Sequence, residues 1–311
     1  MRVFKILLYC ALILLVATEL ILRFSFGFCD AVLYQSNDKY EYISQPNQNR
    51  HRFGVNIRTN SFCQRSDEPD TNKRIILGLG DSIIYGGNQI DNDSLATSIA
   101  TDDATQYLNI SAGSWSPDNC AGYLSVYGTF NAIGMILVCS SHDAYDSMSN
   151  APVVGVFSNY PDKQYTFAIV ELLERYVIPL YIDPLFKDND LSHDPDQQVV
   201  MNNPIPEVAQ KSDFFSPGFQ QLFDISSTNN IPIVVYLHAE RNEIEAGQYN
   251  WMGKKIEKLC EEKGIPLVKG LDNGENLSMY RDIIHFNESG QRFLATQLKK
   301  IEKEYFPLCP E

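Results

Sequence analysis

Residues 75–87 read IILGLGDSIIYGG: an apolar run enters Gly80-Asp81-Ser82, and glycine returns at Gly86 and Gly87. Apolar runs without polar alternation are strands buried on both faces, as in parallel sheets covered by helices. Such a strand ending in Gly-Asp-Ser brings a serine hydroxyl to the carboxyl edge of the sheet, where open α/β folds bind their ligands. If a helix starts there, its free N–H groups and dipole favour negative charge beside the hydroxyl. Ser82 is thereby a nucleophile candidate that still needs a base. On its own, Gly-Asp-Ser fits a plain turn better.

Outward from this run the pattern repeats. Residues 74–79, 106–110, 135–139, 231–237 and 266–269 are short apolar segments, and helical spacing of apolar positions follows at 249–263 and 288–305. The alternation predicts a three-layer α/β/α domain on a parallel sheet, over residues 74–306. Residues 147–215 interrupt it with a helix candidate at 165–176 and the Asp- and Asn-rich KDNDLSHDPDQQ, read as an insertion over one end of the sheet. An insertion that shapes substrate access and a merely solvated loop both fit. Residues 29–73 are polar and Asn-rich and read as an extension or linker leading into the domain.

At the N-terminus, Arg2 and Lys5 flank the start of an apolar run over residues 6–17. Continued through Phe28, a helix here would be about 34 Å long, enough to cross a bilayer. Glu19 and Arg23 are four apart and can pair on one helical face near the outer interface. An uncleaved membrane anchor and a cleaved signal peptide both fit residues 1–28. Either exports the rest of the chain, with the basic residues keeping the N-terminus cytoplasmic. The expected location is a single-pass membrane protein whose domain is periplasmic or at the cell surface.

A formal charge of -14 over 311 residues repels nucleic acid and anionic head groups and leaves a neutral or carbohydrate partner. Of seven cysteines, Cys10 lies in the span. Cys29, Cys63, Cys120, Cys139, Cys260 and Cys309 permit up to three disulfides in an exported domain, although Cys139 reads better as a buried strand thiol. There is no CxxC and no Cys/His cluster of zinc spacing, so neither a metal nor a cofactor is expected. Sequons at Asn92, Asn109, Asn276 and Asn287 arise easily by chance.

The base must be one of His51, His142, His193, His238 and His285. His285 lies in MYRDIIHFNESGQRFLATQL, three residues after Asp282. At that spacing on a helical turn the two share a face, so the carboxylate can fix the imidazole tautomer while the other nitrogen reaches a serine. Gly80-Asp81-Ser82 followed by Asp282-x-x-His285 resembles the first and last blocks of the SGNH/GDSL hydrolases, over residues 74–305. The resemblance implies a flavodoxin-like α/β/α fold, a catalytic centre of Ser82, His285 and Asp282, and ester chemistry. NISAGSWSPDN resembles the second block, whose glycine, here Gly113, would lend its N–H to an oxyanion hole with the N–H of Ser82.

The third block departs from the family. Where Gly-x-Asn-Asp is usual, this chain has Ser140-Ser141-His142-Asp143, which puts His142 in the place of the oxyanion-hole asparagine. A neutral imidazole still donates one N–H, and a protonated one binds an oxyanion strongly; Asp143 beside it bears on which form is present. Asp81, Asp143, Trp115 and His238 are further candidates for lining the substrate site. Trp115 reads as a stacking surface for a sugar ring or as an aromatic that closes its loop, His238 as a pocket residue or a satisfied strand-end histidine.

The resemblance implies an extracytoplasmic esterase or deacetylase for O-acyl groups, foremost O-acetyl, of a carbohydrate or acylated small molecule. The same centre would serve a polysaccharide O-acetyltransferase, with polysaccharide biosynthesis or export proteins as partners. A catalytically idle domain that binds glycan or a partner is the reading from another class.

Overall fold

The computed structural model describes residues 2–182, 210–211 and 214–307. Helix α1 (Arg2–Phe26) is apolar over residues 6–17, carries Glu19 and Arg23 toward its end, and buries none of its residues. Two antiparallel hairpins follow, β1 (Tyr34–Asn37) with β2 (Glu41–Ser44) and β3 (Asn49–Arg52) with β4 (Val55–Arg58). They correct the expectation of an extension or linker over residues 29–73. Tyr34, Tyr40, Tyr42, Ile43, Ile57 and Cys63 are buried in the same core as the central sheet. Large amphipathic rings offset their ordering entropy by packing on a remote helix. That helix, Pro117–Tyr127, meets the first hairpin so closely that a Cβ at Gly122 would collide with the Lys39 carbonyl oxygen.

The central sheet is parallel and has five strands: β5 (Arg74–Gly80), β6 (Thr105–Ser111), β7 (Gly134–Cys139), β10 (Ile233–Leu237) and β11 (Leu267–Lys269). A two-residue pair, β8 (Asp146–Ser147) with β9 (Gln210–Lys211), lies between β7 and β10 in the chain. The spatial order β6-β5-β7-β10-β11 is the doubly wound 2-1-3-4-5 arrangement, with its switch point between β5 and β7. Alternate strand residues feed two cores. Leu77, Leu79, Leu137 and Val235 pack under helices Pro117–Tyr127, Pro217–Asn229 and Trp251–Lys263; Ile76, Ile136, Val138 and Val234 pack under Ala96–Ala100 and Glu288–Tyr305. Burial on both faces is what continuous apolar runs require, so the five expected strands are observed with ends shifted by one or two residues.

The helix expected at 165–176 is different. It is α-helical only over Ala168–Leu172 and continues over Leu173–Ile182 as a π-helix containing Pro179. Proline has no N–H to donate and its ring crowds the preceding turn, which breaks a regular α-helix. KDNDLSHDPDQQ, part of the expected insertion, lies outside the described residues. Among those described there is no disulfide: Cys10, Cys29, Cys63, Cys120, Cys139 and Cys260 are all free thiols. Cys139 is buried in its strand, and burial pushes its thiol well above the ordinary value. Two sequon residues serve the fold instead: Asn92 receives the Arg65 guanidinium and Asn109 is buried within β6.

Candidate active site

Strand β5 ends at Gly80, where any side chain would drive its Cβ into the Val138 carbonyl oxygen of the neighbouring strand. Asp81 then turns the chain into the short helix Ser82–Tyr85, its Oδ1 accepting from the Ile83 N–H at 2.8 Å. Ser82 is thus the first residue of the helix. Behind it, the buried Arg65 donates to the carbonyls of Tyr85, Gly87 and Ile90 and to Asn92, pinning the loop that follows. Gln291 of the last helix donates to the Ile83 carbonyl at 2.8 Å.

From the other end of the sequence, residues 281–286 fold back over the same edge, with Tyr280 and Phe286 forming an isolated bridge. Asp282 Oδ1 accepts from the N–H groups of Ile284 and His285 at 3.0 and 2.7 Å. His285 Nδ1 lies 2.8 Å from Asp282 Oδ2, and His285 Nε2 lies 2.8 Å from Ser82 Oγ. The structure therefore brings Ser82, His285 and Asp282 into one line of hydrogen bonds, across 203 residues of sequence between the serine and the histidine. Burial works against the Asp282 charge, but its bonds to His285 and to the two backbone N–H groups prevail and hold the carboxyl well below its ordinary range. An ionised Asp282 fixes Nδ1 as donor and leaves Nε2 to take the serine proton.

Among the described residues, neither the Ser82 N–H nor the Gly113 N–H has a hydrogen-bond partner. These are the two N–H groups named above as oxyanion-hole candidates. The Gly113 carbonyl is fixed by Tyr42 Oη at 2.8 Å and Tyr160 Oη at 3.3 Å, which hold the loop from behind. His142 has a more specific setting than its block position implied. Its Nδ1 contacts Ser140 Oγ at 2.8 Å and Glu240 Oε1 at 3.3 Å, while Nε2 has Asp146 Oδ2 at 3.6 Å and Asp81 Oδ2 at 3.8 Å. Burial opposes its charge, yet Asp143, Glu240, Asp146 and Asp81 together hold the imidazole well above its ordinary value and favour its protonated form. Its Nε2–H makes no hydrogen bond among the described residues and stays available to a ligand.

The four substrate-lining candidates are corrected. Asp81 is buried as the helix cap, and Asp143 is buried as part of a capping box, its Oδ2 accepting from the Ser140 N–H at 2.7 Å. Trp115 is buried, with its indole N–H donated to the Tyr42 carbonyl at 2.8 Å. It closes the fold and offers no face to a sugar. His238 is fully buried: Nε2 donates to the Ile284 carbonyl at 2.7 Å, and Nδ1 contacts Glu275. Each of these side chains satisfies a backbone group that burial would otherwise strand.

Asp81, His142 and Asp143 bring ligand atoms within 4.8 Å of one another, a spacing that could hold a cation. The same carboxylates that bring these atoms together raise His142 above its ordinary value. Burial, reinforced by like charge on its neighbours, pushes Asp81 and Asp143 up to about 6 each.

Sequence reasoning missed the residues that support the site from a distance: Glu240 on His142, Arg65 behind Ser82, and Glu275 with Tyr280 behind His238. Arg281 donates to the Gly86 carbonyl at 3.0 Å and tethers the Asp-His turn to the serine loop. Glu240 directly follows an apolar strand and the buried His238-Ala239 pair, which is a local signal; the others have none.

No family model and no curated protein matches the chain. Solved structures with a similar course include a lipolytic protein of the G-D-S-L family from Veillonella parvula DSM 2008, at 12% identity and a TM-score of 0.39, over 76% of this chain and 100% of that one. A carbohydrate acetylesterase family member from Sinorhizobium meliloti has 9% identity and a TM-score of 0.43, over 76% and 100%. A lipase/acylhydrolase from Enterococcus faecalis has 10% identity and a TM-score of 0.39, again over 76% and 100%. A likeness this loose bears on neither substrate nor residue roles. In the order of its sequence blocks, its doubly wound parallel sheet and its Ser-His-Asp contact, the chain resembles the SGNH/GDSL hydrolases.

Proposed function

We propose that the domain is an extracytoplasmic serine esterase or deacetylase that removes O-acyl groups, foremost O-acetyl, from a carbohydrate. The observation that carries this reading is the pair of 2.8 Å contacts from His285 to Ser82 and to Asp282. His285 takes the proton of Ser82 as Oγ attacks the acyl carbonyl, and the ionised Asp282 stabilises the imidazolium. The N–H groups of Ser82 and Gly113 and the charged His142 receive the oxyanion. His285 then gives its proton to the departing sugar hydroxyl, leaving an acyl group on Ser82. Water, deprotonated by His285, releases the acid.

Ester chemistry rests on the nucleophile and base; a carbohydrate rests on the acidic net charge, which disfavours anionic substrates. A sugar hydroxyl could replace water in the second half, giving an O-acetyltransferase with the same residues. The uninterrupted Ser-His-Asp line speaks against an idle binding domain. Incubation of the full chain with p-nitrophenyl acetate, beside Ser82→Ala, tests the reading. Intact mass should show an acetyl adduct in the first protein only. With a glycan and a labelled acyl donor present, label in free acid identifies the esterase and label in the glycan the transferase. No adduct and no turnover would overturn both.

A further inference from the structure

The outer end of α1 is built into the domain. Glu19 pairs with Arg23 at 2.9 Å, and its carboxylate accepts the N–H groups of Ala168 and Ile169 at 2.8 and 3.0 Å; Arg23 donates to the Thr166 carbonyl at 2.7 Å. Below this, the buried Arg52 joins Glu171 at 2.6 Å, the Gly27 carbonyl at 3.0 Å and Tyr176 Oη at 3.0 Å, while Glu171 also accepts from Cys29 N at 2.6 Å and Arg175 at 3.0 Å. Phe28 packs edge-on against both Phe53 and Tyr176. A charge pair so fully enclosed, with its remaining bonds satisfied, fixes one arrangement. No flexible tether separates helix from domain.

Around this junction the surface is largely apolar, with Glu174 the exposed charge within Leu173–Ile182. Phe26, Phe53, Phe167, Val170, Leu173 and Tyr181 are all exposed, between 39% and 70%, although each is a large hydrophobic side chain. Depth follows from α1 itself. A span needs about 20 residues, and the uncharged run over residues 6–18 is shorter, so the span takes in Glu19 and continues toward Phe26, which places the Glu19–Arg23 pair in its outer end. Whatever depth Glu19 has, the backbone at Ala168 and Ile169 shares, because it is hydrogen-bonded to that carboxylate.

We propose that the face formed by Phe26, Phe53 and the exposed side of Ala168–Leu172 and Leu173–Ile182 is seated in the interfacial layer of the bilayer that α1 crosses. The occupant of this face is lipid, and the domain is held at the membrane in one orientation. The inference rests on the reading of α1 as a membrane span, as part of the exported enzyme proposed above. The apolar face continues directly from a helix whose sides are bare, and apolar surface at head-group depth is the usual composition of interfacial helices.

The test uses the full chain in phospholipid nanodiscs, with p-benzoylphenylalanine placed singly at Leu14, Leu173, Tyr181 or Trp251. Trp251 is an exposed aromatic outside the face. After irradiation, intact mass reports a covalent phospholipid adduct. Adducts are expected at Leu14, Leu173 and Tyr181, at least about tenfold above Trp251. Adducts at Leu14 alone would overturn the seated face and leave the anchor standing. Absence at Leu14 would overturn the anchor and the inference with it. Equal adducts at Trp251 and Tyr181 would overturn a fixed orientation.

Discussion

At the scale of single residues, the site asks a serine to act through a histidine whose orientation is set by an ionised aspartate. Ser82→Ala should abolish the acyl adduct and lower kcat by at least about 10³-fold, read by ester turnover. Asp282→Asn should cost about 10³- to 10⁴-fold in kcat, because an amide permits the wrong imidazole tautomer. His142 makes a sharper claim, since a charged donor stands where an asparagine is usual in the family the chain resembles. His142→Ala should lower kcat about 10²-fold with KM little changed. In the wild type, activity should also decline on the alkaline side as His142, held well above its ordinary value by its carboxylates, gives up its proton. His142→Asn should keep measurable turnover and lose that alkaline decline; a decline that persists in the variant would assign it elsewhere.

At the scale of elements, the carboxyl edge of the sheet is assembled from turns that are short and individually weak. The turn carrying Asp282 and His285 is held from beneath by His238 on the Ile284 carbonyl, and His238 is held by Glu275, which also receives Tyr236 and Tyr280. The His238 ring stacks on Tyr280 at 5.4 Å and meets Phe286 edge-on at 4.5 Å. Glu275 and the charge raised on His238 form a buried pair, and removing one partner of such a pair costs about 3–5 kcal/mol. Glu275→Gln should therefore lower the thermal midpoint by roughly 10 °C. It should reduce kcat while leaving KM nearly unchanged, because the pair acts on the turn and touches no substrate. A loss of stability with kcat intact would reduce it to a core contact.

At the scale of the whole molecule, the pH dependence of stability follows from the carboxylates around His142. Asp81 and Asp143, raised to about 6 from an ordinary 3.8, favour the fold while protonated. That contribution is present below about pH 4 and is lost as pH rises through 6. His142, raised above its ordinary 6.5, contributes fully below that value and loses the contribution as pH climbs through its folded value. Asp282, depressed, keeps its contribution throughout this window and loses it only in strong acid. The two trends of the raised groups agree between pH 8 and 5.5: the thermal midpoint should rise by roughly 5 °C on acidification, and Asp143→Asn should flatten the slope. A midpoint that falls over this interval would contradict the arrangement.

By itself the sequence determined the sheet, the last helix and the Asp282–His285 pair, because each is a local pattern. Burial on both faces requires continuous apolar residues and Asn287 caps the helix it precedes, while Asp282 and His285 meet in a turn that is not helical, Asp282 Oδ1 accepting the N–H groups of Ile284 and His285. It also suggested Ser82, through two blocks read in order. The tertiary structure alone decided the rest. The tyrosines of residues 29–73 look like polar extension until a helix from residues 117–127 covers them. For Asp81, Asp143, Trp115 and His238 the sequence leaves a substrate contact and a structural role both open, and burial by neighbours from other elements decides for the structural one. The charge on His142 comes from Asp81, Asp143, Asp146 and Glu240, which only the closing of the sheet edge brings together. Electrostatic interaction depends on distance in space and on exclusion of water, and neither is encoded in spacing along the chain.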